Sequence, residues 1–92
     1  MKTLIKPDGT TTPIEGKVSL NYAQSLVGGY IEFVTLQAKY EAQHMQLIVN
    51  EEGLLKDLPV NPIATKYISP NTLCMDGIRG NAILLSDDDR MD

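Results

Sequence analysis

Residues 25–33 read SLVGGYIEF, and the hydrophobic period changes there across two adjacent glycines. Before the glycines, four apolar residues between positions 20 and 27 are spaced as on one face of a helix. After them, the run YIEFV consists mostly of residues that favour strands. The chain therefore has to pass from a helix to a strand within two residues, which requires a fold that contains both.

The ends of this helix are also predicted by the sequence. Ser19 is a suitable N-cap, because its hydroxyl can accept a hydrogen bond from an amide of the first turn. Gly28 is expected at the residue after the helix with a positive φ, since a residue without Cβ adopts the left-handed region at least cost. Gly29 then lets the chain change direction.

Other strands and a second helix are indicated on both sides of this junction. Residues 2–15 read as a β-hairpin around the turn Pro-Asp-Gly. Residues 45–49 and 81–85 read as strands, and the polar piece between 36 and 44 either extends its neighbouring strands or forms a short excursion. Asn61 and Pro62 suit the N-cap and first turn of a short helix over residues 63–68.

These elements predict an α+β fold, with a small antiparallel-rich sheet of four to five strands. One main helix packs on one face of the sheet, and there is a second short helix. We expect a single domain over residues 1–86 and a solvated acidic tail over residues 87–92, whose deletion leaves stability unchanged. Besides the inward face of the main helix, the expected core residues are Ile31, Phe33, Leu47, Val49, Ile83 and Leu85.

Charge and cysteine content exclude several classes of protein. The formal net charge is −4, which argues against nucleic-acid binding, because that requires a basic face to displace counterions. Cys74 is the single cysteine, so no disulfide can form within the chain, and the cytoplasm is the expected compartment. No apolar run approaches the roughly 20 residues of a membrane-spanning helix.

Catalytic chemistry has few candidates in this sequence. His44 is the only histidine, and Cys74 has no activating neighbour in the sequence LCMDG. The aspartates of the tail lack the spacing with which a rigid loop holds a divalent cation. We therefore expect neither an enzyme nor a bound metal or cofactor.

A ligand site has more support, and two interpretations of it are open. Arg79 and the amides around Gly80 are suited to an anion such as phosphate, Tyr30 to stacking on a base, and Asn61 to a polar edge. In the competing interpretation, Tyr30 is an ordinary strand residue, Arg79 a solvated loop charge, and Asn61 an N-cap.

In order along the chain, the segments LVGGYIE, NEEG, LPVN and GNAIL resemble a small domain family of unknown function found in phages and bacteria. The resemblance covers residues 3–86 and implies no enzyme activity. Pro62 stands where many members of that family have a basic residue. The family implies small intracellular proteins that often come from phages or mobile DNA.

This resemblance suggests two hypotheses for function. The first is a non-enzymatic phage accessory protein that binds and sequesters a small nucleotide-like signal of the host. The alternative is a protein-protein inhibitor or regulator of a host factor, with no small ligand. We also expect a homo-oligomer, since a sheet in so short a chain leaves at least one edge to be covered.

Overall fold

The computed structural model describes residues 1–69 and 77–91, which form a five-stranded antiparallel sheet with helices on both faces. The order of the strands in the sheet is β2-β1-β5-β4-β3, so the last strand of the chain lies at the centre. This is the α+β fold expected from the sequence. The strands are β1 (Lys2–Ile5), β2 (Thr11–Pro13), β3 (Ile31–Val34), β4 (Met45–Asn50) and β5 (Ala82–Ser86). The helices are α1 (Leu20–Val27), α2 (Ala38–Glu41), α3 (Pro62–Thr65) and a 3-10 turn, η1 (Asp87–Asp89).

The central strands β4 and β5 are buried on both faces, so the protein has two core clusters. The cluster under α1 contains Ile48, Ile83 and Leu85. The cluster under α3 contains Leu47, Val49 and Leu84. The predicted core residues are therefore divided between the faces, and Leu47 and Val49 do not pack beneath α1. Phe33 was expected in the core but is 48% exposed, because β3 is an edge strand.

The helix-to-strand junction has the geometry predicted from the glycine pair. The Ser19 hydroxyl oxygen accepts a hydrogen bond from the Tyr22 amide at 3.2 Å and begins α1. Gly28 ends α1 with φ 82°, and its amide and that of Gly29 both donate to the Gln24 carbonyl. Gly28 therefore supplies the left-handed residue that terminates the helix.

We expect Gly28→Val to lower the free energy of unfolding by about 1–2 kcal/mol, the cost of a side chain in the left-handed region. The position of its Cβ is open, so the cost is conformational and not steric. Gly28→Asn is the control, because asparagine tolerates this region better and should cost less. Urea unfolding of the three proteins measures the difference. Equal stability of the valine variant would contradict the assigned helix end.

Two asparagines attach the C-terminus of α1 to the sheet. Asn50, the last residue of β4, donates to the Val27 carbonyl at 3.0 Å, and Asn81, just before β5, donates to the Leu26 carbonyl at 3.0 Å. These carbonyls have no partner within the helix, and the two amides satisfy them. A Cβ at Gly29 would lie 3.1 Å from Nδ2 of Asn50, so a glycine there allows this close approach.

The remaining two helices are short. The excursion after β3 contains α2, which joins the two strands of the β3–β4 pair. The second predicted helix is present as α3, and it ends at Thr65 and not at Ile68. Its N-cap is Asn61, whose side-chain oxygen accepts from the Ala64 amide at 3.1 Å, as predicted. Cys74 lies outside the described residues.

The C-terminal segment is docked on the sheet and is not simply solvated as predicted. Gln46 of β4 donates to the Met91 carbonyl at 2.9 Å and accepts from the Met91 amide at 2.8 Å. The Asp87 amide donates to the His44 carbonyl, and the Met91 side chain packs against the cluster under α1. Residues 87–91 therefore take part in the packing of the domain.

Candidate functional site

The four residues predicted to bind a ligand lie in two different settings. Tyr30 is 66% exposed at the start of the edge strand β3. Asn61 and Gly80 are buried and hydrogen-bonded to each other, and Arg79 directly precedes Gly80 in the chain. The structure thus groups three of the four residues.

Asn61 is fully buried, and its side chain is occupied by the protein itself. Its amide nitrogen donates to the carbonyls of Ile5 and Gly80, both at 2.9 Å. Its side-chain oxygen caps α3 through the Ala64 amide. Asn61 therefore joins β1, α3 and the segment before β5, and in this arrangement it offers no edge to a ligand.

Arg79 and Gly80 also hold the loop that precedes α3. Nη1 of Arg79 donates to the Leu58 carbonyl at 3.0 Å and lies 3.5 Å from a carboxylate oxygen of Asp57. The Gly80 amide donates to the Pro59 carbonyl at 2.7 Å. The Arg79 side chain is 19% exposed, so it is not the solvated charge of the competing interpretation. These contacts hold residues 57–59 against the segment that precedes β5.

The segment that leads into these residues, which we call the 51–57 loop, presents two leucines to solvent. Leu54 is 67% exposed and Leu55 is 82% exposed. Tyr30 adjoins the loop, because its carbonyl accepts a hydrogen bond from the Glu51 amide at 2.9 Å. Three large, exposed apolar or aromatic side chains therefore belong to two segments that are hydrogen-bonded to each other.

The 51–57 loop is ordered by its own hydrogen bonds. The Asn50 side-chain oxygen accepts from the Glu52 amide at 2.7 Å, and the Lys56 amide donates to the Glu52 carbonyl at 2.8 Å. The Leu58 amide donates to the Gly53 carbonyl, and a Cβ at Gly53 would lie 3.0 Å from the Arg79 carbonyl oxygen. The exposure of the two leucines is thus a property of a fixed loop.

The surroundings of the loop are mostly acidic. Glu32 and Glu51 are exposed, and the Asp57 side chain is 95% exposed. Lys56 is the one basic residue within the loop. A partner that covers the leucines would meet several carboxylates at their border.

The comparisons with known proteins place the chain in a family. The model of a domain of unknown function, DUF3846, matches residues 1–92. The chain belongs to the DUF3846 family. None of the curated proteins or solved structures compared with the chain gives a match. The resemblance to a small family of unknown function is confirmed at that level, and the phage origin stays a prediction.

A shallow cleft of about 360 Å³ on this DUF3846 chain lies next to the network of Asn61 and Gly80. Its lining is mostly apolar, with one lysine and one aspartate, and hydrogen bonds from Thr10 lower the pKa of Asp8. The lining residues are Lys6, Pro7, Asp8, Val27, Leu58, Pro59, Gly80 and Asn81. With one charge of each sign, the cleft provides no concentration of positive charge for a phosphate.

Metal binding has no candidate cluster in the part of the chain that the structure describes. Within those residues, no three histidine, cysteine or acidic side chains come together as metal ligands. His44 is exposed and has φ 56° at the end of the excursion before β4. None of the helices described is long and apolar enough to span a membrane.

Sequence reasoning missed the exposed leucines, although a signal for them was present. Residues 50–57 read NEEGLLKD, in which two leucines stand between polar turn residues and outside any helical or strand period. Apolar residues in such a place have no element to bury them. That pattern would have indicated that the leucines either form an exposed contact surface or cover one end of the core.

Proposed function

We propose that this DUF3846 chain is a non-enzymatic binding protein that contacts a partner protein through the 51–57 loop and Tyr30. The partner is expected to carry an apolar groove with basic residues at its border. If the chain is of phage origin, the partner is a host factor that it inhibits or regulates. The observation that carries the proposal is the exposure of Leu54 and Leu55 on an ordered loop beside Tyr30.

Apolar area and pre-organisation both favour association at the 51–57 loop. Large apolar side chains that remain in water favour association when a partner can cover them, at about 25 cal/mol per Å² of area buried. Because the loop is already held by Asn50 and Arg79, binding does not have to order its backbone. Tyrosine is enriched among the residues that dominate binding energy, and the two leucines add apolar area that a partner can bury.

The exposed carboxylates around the loop favour a partner with basic residues. The exposed carboxylates of Glu32, Glu51 and Asp57 lie on the segments that carry the apolar side chains. Complementary charges at the border of an interface steer association and disfavour wrong partners. A second copy of this chain would bring like charges together, so we favour a different, basic partner.

Sequestration of a nucleotide-like ligand by Tyr30, Asn61, Arg79 and Gly80 is the less supported of the two sequence-based hypotheses. Asn61 is buried with its hydrogen-bonding groups in use, and the Arg79 guanidinium bonds the Leu58 carbonyl. A ligand would have to displace contacts that hold the 51–57 loop. The protein-partner hypothesis requires no such rearrangement.

The test compares partner binding by the parent protein with binding by a variant in which both loop leucines are replaced by serine. A photo-crosslinking residue at Glu51 labels proteins that contact the loop in a host lysate, and the labelled protein is then purified and its affinity is measured. We expect Leu54→Ser with Leu55→Ser to weaken the purified complex by about 100-fold, in line with about 2–3 kcal/mol for two hot-spot side chains.

Leu20→Ser is the matched control, since Leu20 is another half-exposed leucine, located at the start of α1 and outside the loop. Its complex should keep the affinity of the parent protein. An affinity that falls equally in the control and in the loop variant would contradict the assigned surface. So would a purified partner that binds the loop variant as tightly as the parent.

A further inference from the structure

A second depression, far from the 51–57 loop in the sequence, collects basic side chains in this acidic chain. It has a volume of about 490 Å³ and lies between the segment that precedes α1 and the C-terminal segment. We call it the basic groove. Its lining residues are Lys2, Gly16, Lys17, Val18, Asp88, Asp89, Arg90 and Met91.

The charge balance of the groove is opposite to that of the whole chain. Three cationic and two anionic side chains line it, whereas the chain carries a formal net charge of −4. Three of the eight lysine and arginine residues are therefore found at one depression. This local excess of positive charge favours the approach of an anion.

The cations of the groove are not neutralised by close ion pairs. In the described ranges, 1–69 and 77–91, no carboxylate lies within 4.0 Å of the charged atoms of Lys2, Lys17 or Arg90. The Lys2 ammonium instead donates to the Gly16 carbonyl at 2.5 Å, which fixes it at the groove. A hydrogen bond from the terminal amine, at 2.7 Å, lowers the pKa of Asp89 and occupies its carboxylate.

The N-terminus of α1 adds to the positive character of this region. Lys17 and Val18 line the groove and lie immediately before Ser19, the N-cap of α1. The N-terminal end of a helix carries a partial positive charge, which favours an anion nearby. This effect acts in the same direction as the three cationic side chains.

The groove also has an apolar part and the size of a small-molecule site. Val18 is buried and Met91 is packed against the cluster under α1, so both offer apolar atoms next to the charges. Ligand sites commonly measure about 300–1,000 Å³. We propose that the basic groove binds a soluble organic phosphate of about nucleotide size, with its phosphate at Lys17 and Arg90 and its organic part on Met91.

The test is a titration of the full, nitrogen-15-labelled chain with each probe, in which the NMR signals of the backbone amides are monitored. The probes are ADP, inorganic phosphate, adenosine and vesicles of phosphatidylcholine with phosphatidic acid. We expect ADP to give saturable shifts at residues 16–18 and 88–91, inorganic phosphate to give the same shifts more weakly, and adenosine to give none. Rising salt should weaken the binding of ADP, because both partners are charged.

Substitutions identify the groups that bind. Lys17→Gln and Arg90→Gln, both at exposed positions, should each raise the dissociation constant of ADP by about tenfold or more, the effect of losing one charge-assisted contact. Lys66→Gln removes an exposed cation from the end of α3 and should leave it unchanged. Three results would overturn the proposal: no saturable shift with ADP, an equal loss in the Lys66 variant, or a response to the vesicles alone.

Discussion

Asn61→Ala is expected to destabilise this protein by about 3–5 kcal/mol, because it leaves three buried groups without partners at about 1–3 kcal/mol each. The groups are the carbonyls of Ile5 and Gly80 and the amide of Ala64. The side chain of Asn61 is fully buried, so water cannot replace it without a change in structure. Against a typical stability of about 5–15 kcal/mol, this loss is large.

The measurement is urea unfolding followed by circular dichroism, with Asn81→Ala as the matched control. The side chain of Asn81 donates a hydrogen bond to the Leu26 carbonyl and is only partly buried. Its replacement should cost about 1 kcal/mol, the net contribution of an ordinary hydrogen bond. If Asn61→Ala were as stable as the control, Asn61 would not have the structural role assigned to it, and a role in ligand binding would regain support.

A further variant separates the two functions of the Asn61 side chain. Asn61→Asp keeps an oxygen that can cap α3 but loses the two hydrogen bonds donated to Ile5 and Gly80. At neutral pH it would also place a buried carboxylate against two carbonyl oxygens. We therefore expect it to be less stable than the alanine variant, since an unpaired buried charge costs more than an unpaired dipole.

Turns and helix ends that are determined by nearby residues were predicted correctly from the sequence. The turn of the first hairpin is an example, with Gly9 at φ 92° and the Lys6 amide bonded to the Thr10 carbonyl. The caps Ser19, Gly28 and Asn61 were likewise predicted from residue type and spacing. In each of these cases a side chain or a glycine acts on backbone groups only a few residues away.

The division of the core between two faces could not be predicted in the same way. Residues 45–50 and 82–86 are almost continuously apolar, and a period of two cannot assign a face to strands that are buried on both sides. Assigning Leu47 to the wrong face follows from this ambiguity. Phe33 was misplaced because exposure depends on strand order, and its strand proved to be an edge.

The candidate site was harder to predict than the fold. Arg79 and Asn61 were selected for their chemical groups, but their partners are carbonyls that are distant in sequence, such as those of Leu58 and Ile5. A residue type indicates which groups a side chain can bond. Only the fold determines whether those hydrogen-bonding groups are already used within the protein. Homo-oligomer formation depends on edges that the sequence does not show, and it stays a prediction.

The contacts of the C-terminal segment lead us to expect that its deletion destabilises the protein, unlike the expectation from the sequence alone. Removal of residues 87–92 should lower the free energy of unfolding by about 2–4 kcal/mol, since it removes several hydrogen bonds and the packing of one methionine. The hydrogen bonds are the pair between Gln46 and Met91 and the bond from the Asp87 amide to the His44 carbonyl. The contact of Asp89 with the terminal amine is exposed and should add little.

A truncation series identifies which residue carries this effect. A chain that ends at Met91 is the matched control and should unfold like the parent protein, because the contacts of Met91 with Gln46 and the core remain. A chain that ends at Arg90 should show most of the loss seen in the full deletion. A run of aspartates is usually solvated, and this one is expected to differ because Gln46 bonds Met91, which lies two residues beyond the run and 45 residues from Gln46. Equal stability of the parent and the full deletion would show that the segment contributes only charge.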